Sequence, residues 1–369
     1  MGNTCFANAS TALLFESDIF QSAMEKNLKK GGTITLPGED EVQLADRIQF
    51  QTSAKSLFDS REEKDASGKK FKNAWSLSSD LSKYFDALEK ASESLDGTPN
   101  IGGIDGARLR RNQGDAFDFA SKVMEYLEYP APGWVKFVDF EDGSQKSIPH
   151  EGSGIVSLNL KIVRDDLKHG LSFTTVLGEN TRTETMAGEN QLENEKGQKM
   201  DSLMRYGFQN LPSSVIFRLE RFDWNFSGRE PEREKITLPV AMVEKLSLKS
   251  FKKEKKNYQL KGVVIHSGFH PSFGHYYSYI RDTESGDWIE YNDDHVHKVS
   301  PDTLQRNVSQ NGYMFLYEEA PKDPDSEDIE MESHPEDVKM VSQESAKIIV
   351  TDAMLKPGKG QKNQDEDLN

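Results

Sequence analysis

The sequence predicts an α+β protein whose helical front half and sheet-forming back half frame a cleft. Two observations carry this. Before residue 130 the apolar residues of the patterned stretches recur every three or four positions; after Gly133 they mostly alternate. No segment repeats another, so a solenoid is not expected. A third observation bounds the domain: residues 321–369 hold 13 Asp and Glu against 6 Lys, with no aromatic residue. Such a stretch buries too little apolar surface to offset its ordering entropy. A domain over 1–319 and an acidic, disordered tail over 320–369 are therefore expected.

The elements follow in order. CFANASTALLFESDIF (Cys5 to Phe20) reads as a helix capped by Asn3 or Thr4, with Phe6, Leu13 and Phe20 at heptad spacing. Residues 21–110 mix short helical patterns, such as LSSDLSKYFDALEKASESL, with polar loops. In GDAFDFASKVMEYLE, Asp115 caps a second strong helix carrying Ala116, Phe119, Val123 and Leu127 on one side. WVKFVDFED and GIVSLNLKIV then alternate as strands, and Glu179–Met204 is a polar insertion without strong periodicity. VIFRLERF, YQLKGVVIH, HYYSYIRD, DWIEY and GYMFLYEE complete the strand pattern.

Composition narrows the function classes. The 369 residues carry a net charge of −16, which disfavours a nucleic-acid partner, because phosphate binding needs a basic face. No apolar run approaches the roughly 18 residues that span a bilayer, and MGNTCFANAS lacks the basic start and apolar stretch of a signal peptide. Neither a membrane nor a nucleic-acid partner is expected, and the compartment is expected to be cytoplasmic or nuclear. Cys5 is the only cysteine, which excludes an internal disulfide and every multi-cysteine zinc site.

A lone cysteine is most often a small buried hydrophobe. Cys5, however, stands where a helix begins, and unpaired N–H groups with the positive dipole end favour a thiolate there. Those amides could also hold a developing oxyanion. A cysteine nucleophile needs a base, and the base an orienting partner. Of the eight histidines, His275 opens HYYSYIRD, and the turn DTESGD returns the chain through WIEYND. A hairpin centred between Thr283 and Ser285 sets His275 opposite positions 292–294, which are Asn292, Asp293 and Asp294. Asn292 could fix the imidazole tautomer, leaving Asp293 to support it or polarise water. His266, His270, His275, His295 and His297 could also be read as a metal cluster, but Pro271 and the glycines forbid a shared helical face. No metal and no cofactor are expected.

These residues resemble a known family. GNTCFANAS resembles the cysteine box of the ubiquitin-specific proteases, and GHYYSYIRD with WIEYNDDHV resembles their histidine box. NQGDAFDF is similar to the glutamine-aspartate motif that follows the thumb helices. LPSSVIFRLERFDWN, YQLKGVVIHSG and GYMFLYEE resemble successive segments of the palm. The motifs stand in family order from residue 2 to residue 318. The resemblance implies a papain-like fold with a helical thumb over about 1–130, β-rich fingers over about 131–210 and an antiparallel palm sheet over about 211–319. It implies a cysteine-type ubiquitinyl hydrolase that cleaves the isopeptide bond after the C-terminal glycine of ubiquitin, with ubiquitin and ubiquitinated proteins as partners and a monomeric state.

In that reading Cys5 attacks, His275 protonates the leaving amine and Asn292 orients it. Asp115 holds the arginine-bearing tail of ubiquitin, and Tyr276 lines the channel. Many family members carry four zinc-binding cysteines in the fingers; here the fingers must be held by packing alone. The family also places an asparagine five residues before the nucleophile, which falls one place before Met1, so the natural chain is expected to extend upstream. Two alternatives keep the fold: a ubiquitin-binding protein with impaired catalysis, or a protease for another ubiquitin-like modifier.

Overall fold

Every one of the 11 residues of α1 (Cys5–Phe15) is buried, so this helix forms the centre of the front half rather than its surface. The computed structural model describes residues 4–29, 40–62, 79–96, 100–101, 104–105, 114–127, 129, 132–149, 154–165, 170–225, 231–271, 273–293 and 295–320. The helix expected from Cys5 to Phe20 is two helices, because Ser17 interrupts it. Its buried hydroxyl accepts the Phe20 N–H at 3.4 Å and meets the Ser214 hydroxyl at 3.0 Å, which starts α2 (Asp18–Lys29) afresh.

The helices α3 (Glu41–Glu62), α4 (Ser79–Asp96) and α5 (Ala116–Tyr126) complete the front half, with a short ladder of β1 (Asn100–Ile101) and β2 (Ile104–Asp105) between the last two. Phe6, Leu13, Phe15, Phe50, Tyr84, Phe85 and Phe119 share one core with α5's Val123. The 22-residue α3 replaces the short helical patterns and loops expected there. Its buried face carries Arg47, Gln51 and Ser53 beside Phe50, Ala54 and Leu57, which blurs the apolar period. Gln51 is accommodated by donating to the Tyr126 carbonyl at 3.0 Å.

Next come β3 (Trp134–Phe140), β4 (Gln145–Pro149), β5 (Ile155–Asn159), α6 (Phe173–Asn180), β6 (Glu184–Met186), β7 (Leu192–Glu193), β8 (Lys199–Met200) and β9 (Ser202–Phe208). Strands β4, β3, β9 and β6 form one antiparallel sheet, and β7 with β8 a separate hairpin. The polar insertion is thus a set of short strands around a small core of Val138, Phe140 and Met204, with Met186, Leu192 and Met200 against it. Arg205 lies over the rings of both Phe137 (4.9 Å) and Phe251 (5.2 Å), which pack against each other at 4.8 Å, and pairs with Asp139 at 2.6 Å. The continuous fingers segment expected over 131–210 is divided: β5 leaves this sheet and α6 joins the other core.

The large sheet is built from β10 (Ser214–Glu220), β13 (Lys245–Lys249), β14 (Lys255–His270), β15 (Phe273–Arg281), β16 (Trp288–Asn292), β17 (His295–Lys298) and β18 (Gly312–Glu319), with β5 at one edge. A hairpin of β11 (Phe222–Asn225) and β12 (Glu232–Lys235) leaves it after β10. All its pairings are antiparallel except β10 with β5, which are parallel, so the expected antiparallel sheet is mixed. Helix α7 (Pro301–Asn311) bridges β17 and β18; Ser300 caps it and a proline stands in its first turn. The face of β14–β15–β16 that carries Val264, Tyr276, Ile280 and Tyr291 belongs to the same core as α1. Helix α1 is thereby pressed onto the strands that carry His275 and Asn292. The last strand ends at Glu319; residues 321–369, where the acidic tail was expected, lie outside the described residues.

Candidate active site

Cys5 is the first residue of α1, only 7% exposed. Thr4 occupies the N-cap position and makes no side-chain cap bond. The first-turn N–H groups of the helix are therefore not taken up by a cap, and they point toward the N-terminal end at which the thiol sits. Asn3, the other expected cap, lies outside the described residues.

The hairpin register places the remaining groups. Ser278 pairs with Tyr291 and Arg281 with Trp288, which centres the turn on residues 284–285. Extending the ladder toward its open end brings His275 to the end of β16, where its Nε2 lies 2.6 Å from Asn292 Oδ1. Asn292 Oδ1 can only accept, so Nε2 carries the proton and Nδ1 is left for the thiol. Asn292 is itself steadied through its amide N–H, donated to Glu290 at 3.2 Å. The imidazole's pKa is raised to about 9: the hydrogen bond with Cys5 has the largest effect, partial burial opposes it, and Asn292, the Cys5 charge and Asp293 add to the rise. His275 is thus hydrogen-bonded to Asn292 on one side, and on the other Cys5 has the largest influence on its titration.

Asp293 follows in the left-handed region, at φ 52°, an uncommon conformation that aims its carboxylate back across the cleft. One oxygen lies 3.9 Å from His275 Nε2 and the other accepts from Asn8 Nδ2 at 2.8 Å. Asn8 was not singled out from the sequence, although three residues after Cys5 is one helical turn and the same face. It ties α1 directly to the strand end beside the imidazole.

Asp115 caps α5, accepting the Phe117 N–H at 2.7 Å and the Tyr313 hydroxyl at 2.8 and 3.0 Å. Burial pushes its carboxyl up, against the pull of Phe117, Tyr313 and the Arg218 and Arg233 guanidiniums. Asp118, one turn on and also missed in the sequence, is raised to about 6 by burial first and by the Asp115 charge second. Two carboxylates at one helix start, both short of solvation, make a ready receptor for a cation.

Tyr276, expected to line the channel, is 2% exposed in this structure. Its ring packs 4.7 Å from His266 and 6.0 Å from Tyr313, and its hydroxyl meets the Ala116 backbone, so it supports the cleft wall from behind. Among the described residues no group of three or more His, Cys, Asp or Glu has the arrangement of a metal site.

Comparison with known proteins agrees with this architecture. The structure superposes on the SAGA Ubp8/Sgf11/Sus1/Sgf73 DUB module bound to ubiquitin aldehyde with a TM-score of 0.60. That match covers 87% of this chain and 68% of the other at 16% identity, a likeness of fold. The chain is 26% identical over 208 residues to ubiquitin carboxyl-terminal hydrolase 48 of Danio rerio, covering 48% of this chain and 19% of that protein. It is 27% identical over 225 residues to ubiquitin carboxyl-terminal hydrolase 25 of Arabidopsis thaliana, covering 59% of this chain and 31% of that protein. The chain therefore spans less than a third of either relative. Residues 1–317 match the family model described as ubiquitin carboxyl-terminal hydrolase, and the chain belongs to that family.

Proposed function

We propose that this chain is a thiol-dependent deubiquitinase that hydrolyses the isopeptide bond after the C-terminal glycine of ubiquitin. The observation that carries the reading is the Cys5–His275–Asn292 arrangement, in which the imidazole is held protonated beside the only thiol of the sequence. The Cys5 thiolate, whose proton His275 has taken, attacks the scissile carbonyl carbon, forming a C–S bond while the carbonyl electrons move onto oxygen. The first-turn N–H groups of α1 face that oxyanion. Collapse of the intermediate expels the lysine amine, which takes its proton from His275. Water then adds to the thioester, giving one proton to His275; the Cys5 thiolate leaves, and the acid product loses its remaining proton to the released amine, which restores the starting pair.

Asp115 and Asp118 supply the binding side of the same reading. The C-terminal tail of ubiquitin, taken from the family resemblance, is cationic, and a guanidinium arriving between two under-solvated carboxylates replaces the water they have lost. Arg218 and Arg233 already partly neutralise the pair, which limits the gain and leaves room for exchange. Arg218 is held flat over the Phe117 ring at 3.6 Å, so it does not swing into the acidic pair as a free competitor.

The test is covalent capture. Ubiquitin carrying a C-terminal electrophile is expected to label the full-length protein at one site, and Cys5→Ala to abolish the labelling. An unlabelled wild-type protein refutes the reading. Parallel probes built on other ubiquitin-like modifiers establish which modifier is the substrate.

A further inference from the structure

We propose that Lys235 is a positioning residue for His275: its ammonium fixes the bulged end of the strand pair that carries the imidazole to Cys5. The inference rests on the deubiquitinase reading for its kinetic readout and on the hairpin geometry for its cause.

The geometry begins with a register shift. In the β14–β15 ladder Ser267 pairs with His275 and His270 with Phe273, so Gly268 and Phe269 together face Gly274 alone. This is a bulge, one extra residue that bends the strand and removes ladder bonds next to the residue that must be aimed. Gly268 takes φ 134° there, and a Cβ on it would lie 2.8 Å from the Phe273 carbonyl oxygen. A Cβ on Gly274 would lie 2.5 Å from His266 Nε2. Side chains are therefore stripped from both sides of the bulge, and something else must hold its backbone.

Lys235 does so from outside the hairpin. It ends β12, is 8% exposed, and its Nζ donates to the His266 carbonyl at 2.7 Å, the Gly268 carbonyl at 2.7 Å and Asn311 Oδ1 at 3.0 Å. Three donors meet three acceptors, so the ammonium is fully used. Two acceptors flank Ser267, the residue opposite His275; the third is the last residue of α7. One side chain thus ties β12, the bulge and α7 together within one residue of the ladder position that sets the imidazole.

The charged and titratable groups around it are few. Arg221 is fully buried and donates to the carbonyls of Gly312, Ile236 and Leu238, and its charge acts on Lys235. His266 is fully buried, neither ring nitrogen has a partner, and burial with the Lys235 and Arg221 charges pushes it down to about 3. It stays neutral and adds no charge. Burial first and Arg221 second lower the Lys235 pKa to about 8. Above that pH one donor is lost and the grip on the bulge loosens, while His275 keeps its proton to about 9.

The experiment compares the wild type with Lys235→Met and Lys235→Arg, using a fluorogenic ubiquitin C-terminal amide and an NMR titration of the His275 imidazole. A displacement of about 1 Å at the reacting centre costs about 100-fold, so Lys235→Met is expected to lose about 100-fold in kcat with KM unchanged. Its His275 pKa is expected to fall from about 9 toward the ordinary imidazole value. Lys235→Arg keeps its charge at every working pH, so its activity is expected to persist through pH 8, where the wild type begins to decline. A folded Lys235→Met protein with wild-type kcat and His275 titration overturns the proposal. Should that variant not fold, a Lys235→Arg protein with the wild-type alkaline decline overturns it instead. A wild type that does not react with ubiquitin refutes the deubiquitinase reading, and the His275 titration, which needs no ubiquitin, still decides the role of Lys235.

Discussion

Removing the Asn8 amide should separate activity from stability. Asn8 Nδ2 donates to Asp293 Oδ1 at 2.8 Å, while Asn8 Oδ1 is buried without a partner. A hydrogen bond to a charged group contributes about 1.5–3 kcal/mol. The Asp293 side chain is 39% exposed and recovers water when the donor leaves, which places the loss near the lower figure. Asn8→Ala also removes the orphaned carbonyl oxygen, whose burial costs about 1–3 kcal/mol. The two terms oppose, so net stability should change by no more than about 1 kcal/mol, a shift of about 2–4 °C in a domain of this size. Catalysis has no such offset. The left-handed backbone at Asp293 costs about 1–3 kcal/mol, and without its tie to α1 it can relax and carry the carboxylate away from the imidazole. A loss of about tenfold in kcat with KM unchanged is expected, read by hydrolysis of a fluorogenic ubiquitin amide beside a calorimetric melt. An Asn8→Ala protein that melts more than about 10 °C lower, about 3 kcal/mol on the same scaling, or that retains full kcat, refutes the reasoning.

Other outcomes follow from the same site. His275→Ala should abolish turnover by several orders of magnitude and Asn292→Ala by less, since the amide orients the ring without transferring a proton; equal losses in a kinetic comparison would contradict these roles. The folded pKa of His275 is raised, so its proton is held below about 9 and lost above it, and Cys5–His275 activity should decline on the alkaline side at or below that pH in a pH–rate profile. Asp118 is raised to about 6, so above that pH the fold carries a carboxylate whose charge is penalised by burial: Asp118→Asn should raise the melting temperature at neutral pH while increasing KM for ubiquitin. In the wild type KM should rise as pH falls through about 6, and this dependence should vanish in Asp118→Asn. A strong chelator should leave the melting temperature unchanged, because the core around Val138, Phe140 and Met204 is built from apolar side chains.

Local rules made the β15–β16 hairpin legible. Two-residue periodicity and a turn of Asp, Ser and Gly fixed the alignment of His275 with the end of β16 from sequence alone. The Ser300–Pro301 start of α7 was equally readable and went unread. Helix α3 was harder, because Arg47, Gln51 and Ser53 share its buried face and cancel the apolar stripe. The division of the segment over 131–210 depends on β5 pairing in parallel with β10, some sixty residues away, and no local pattern records such a partner. The same holds at the site. Asn8 follows from helical spacing once Cys5 is chosen, whereas a buried Lys235 contradicts every compositional expectation for lysine and is explained only by the bulge it serves.

The small core of the β3–β9 sheet also divides how the molecule responds to oxidants. Thioethers of Met186, Met200 and Met204 stand with Leu192 around Val138 and Phe140. A peroxide cannot eject an ion or form a cross-link there; it can only convert a methionine to its polar sulfoxide, which methionine sulfoxide reductases reverse. Damage to this sheet is thus graded and repairable, side chain by side chain. The all-or-none redox event is confined to one sulfur, at the first residue of α1.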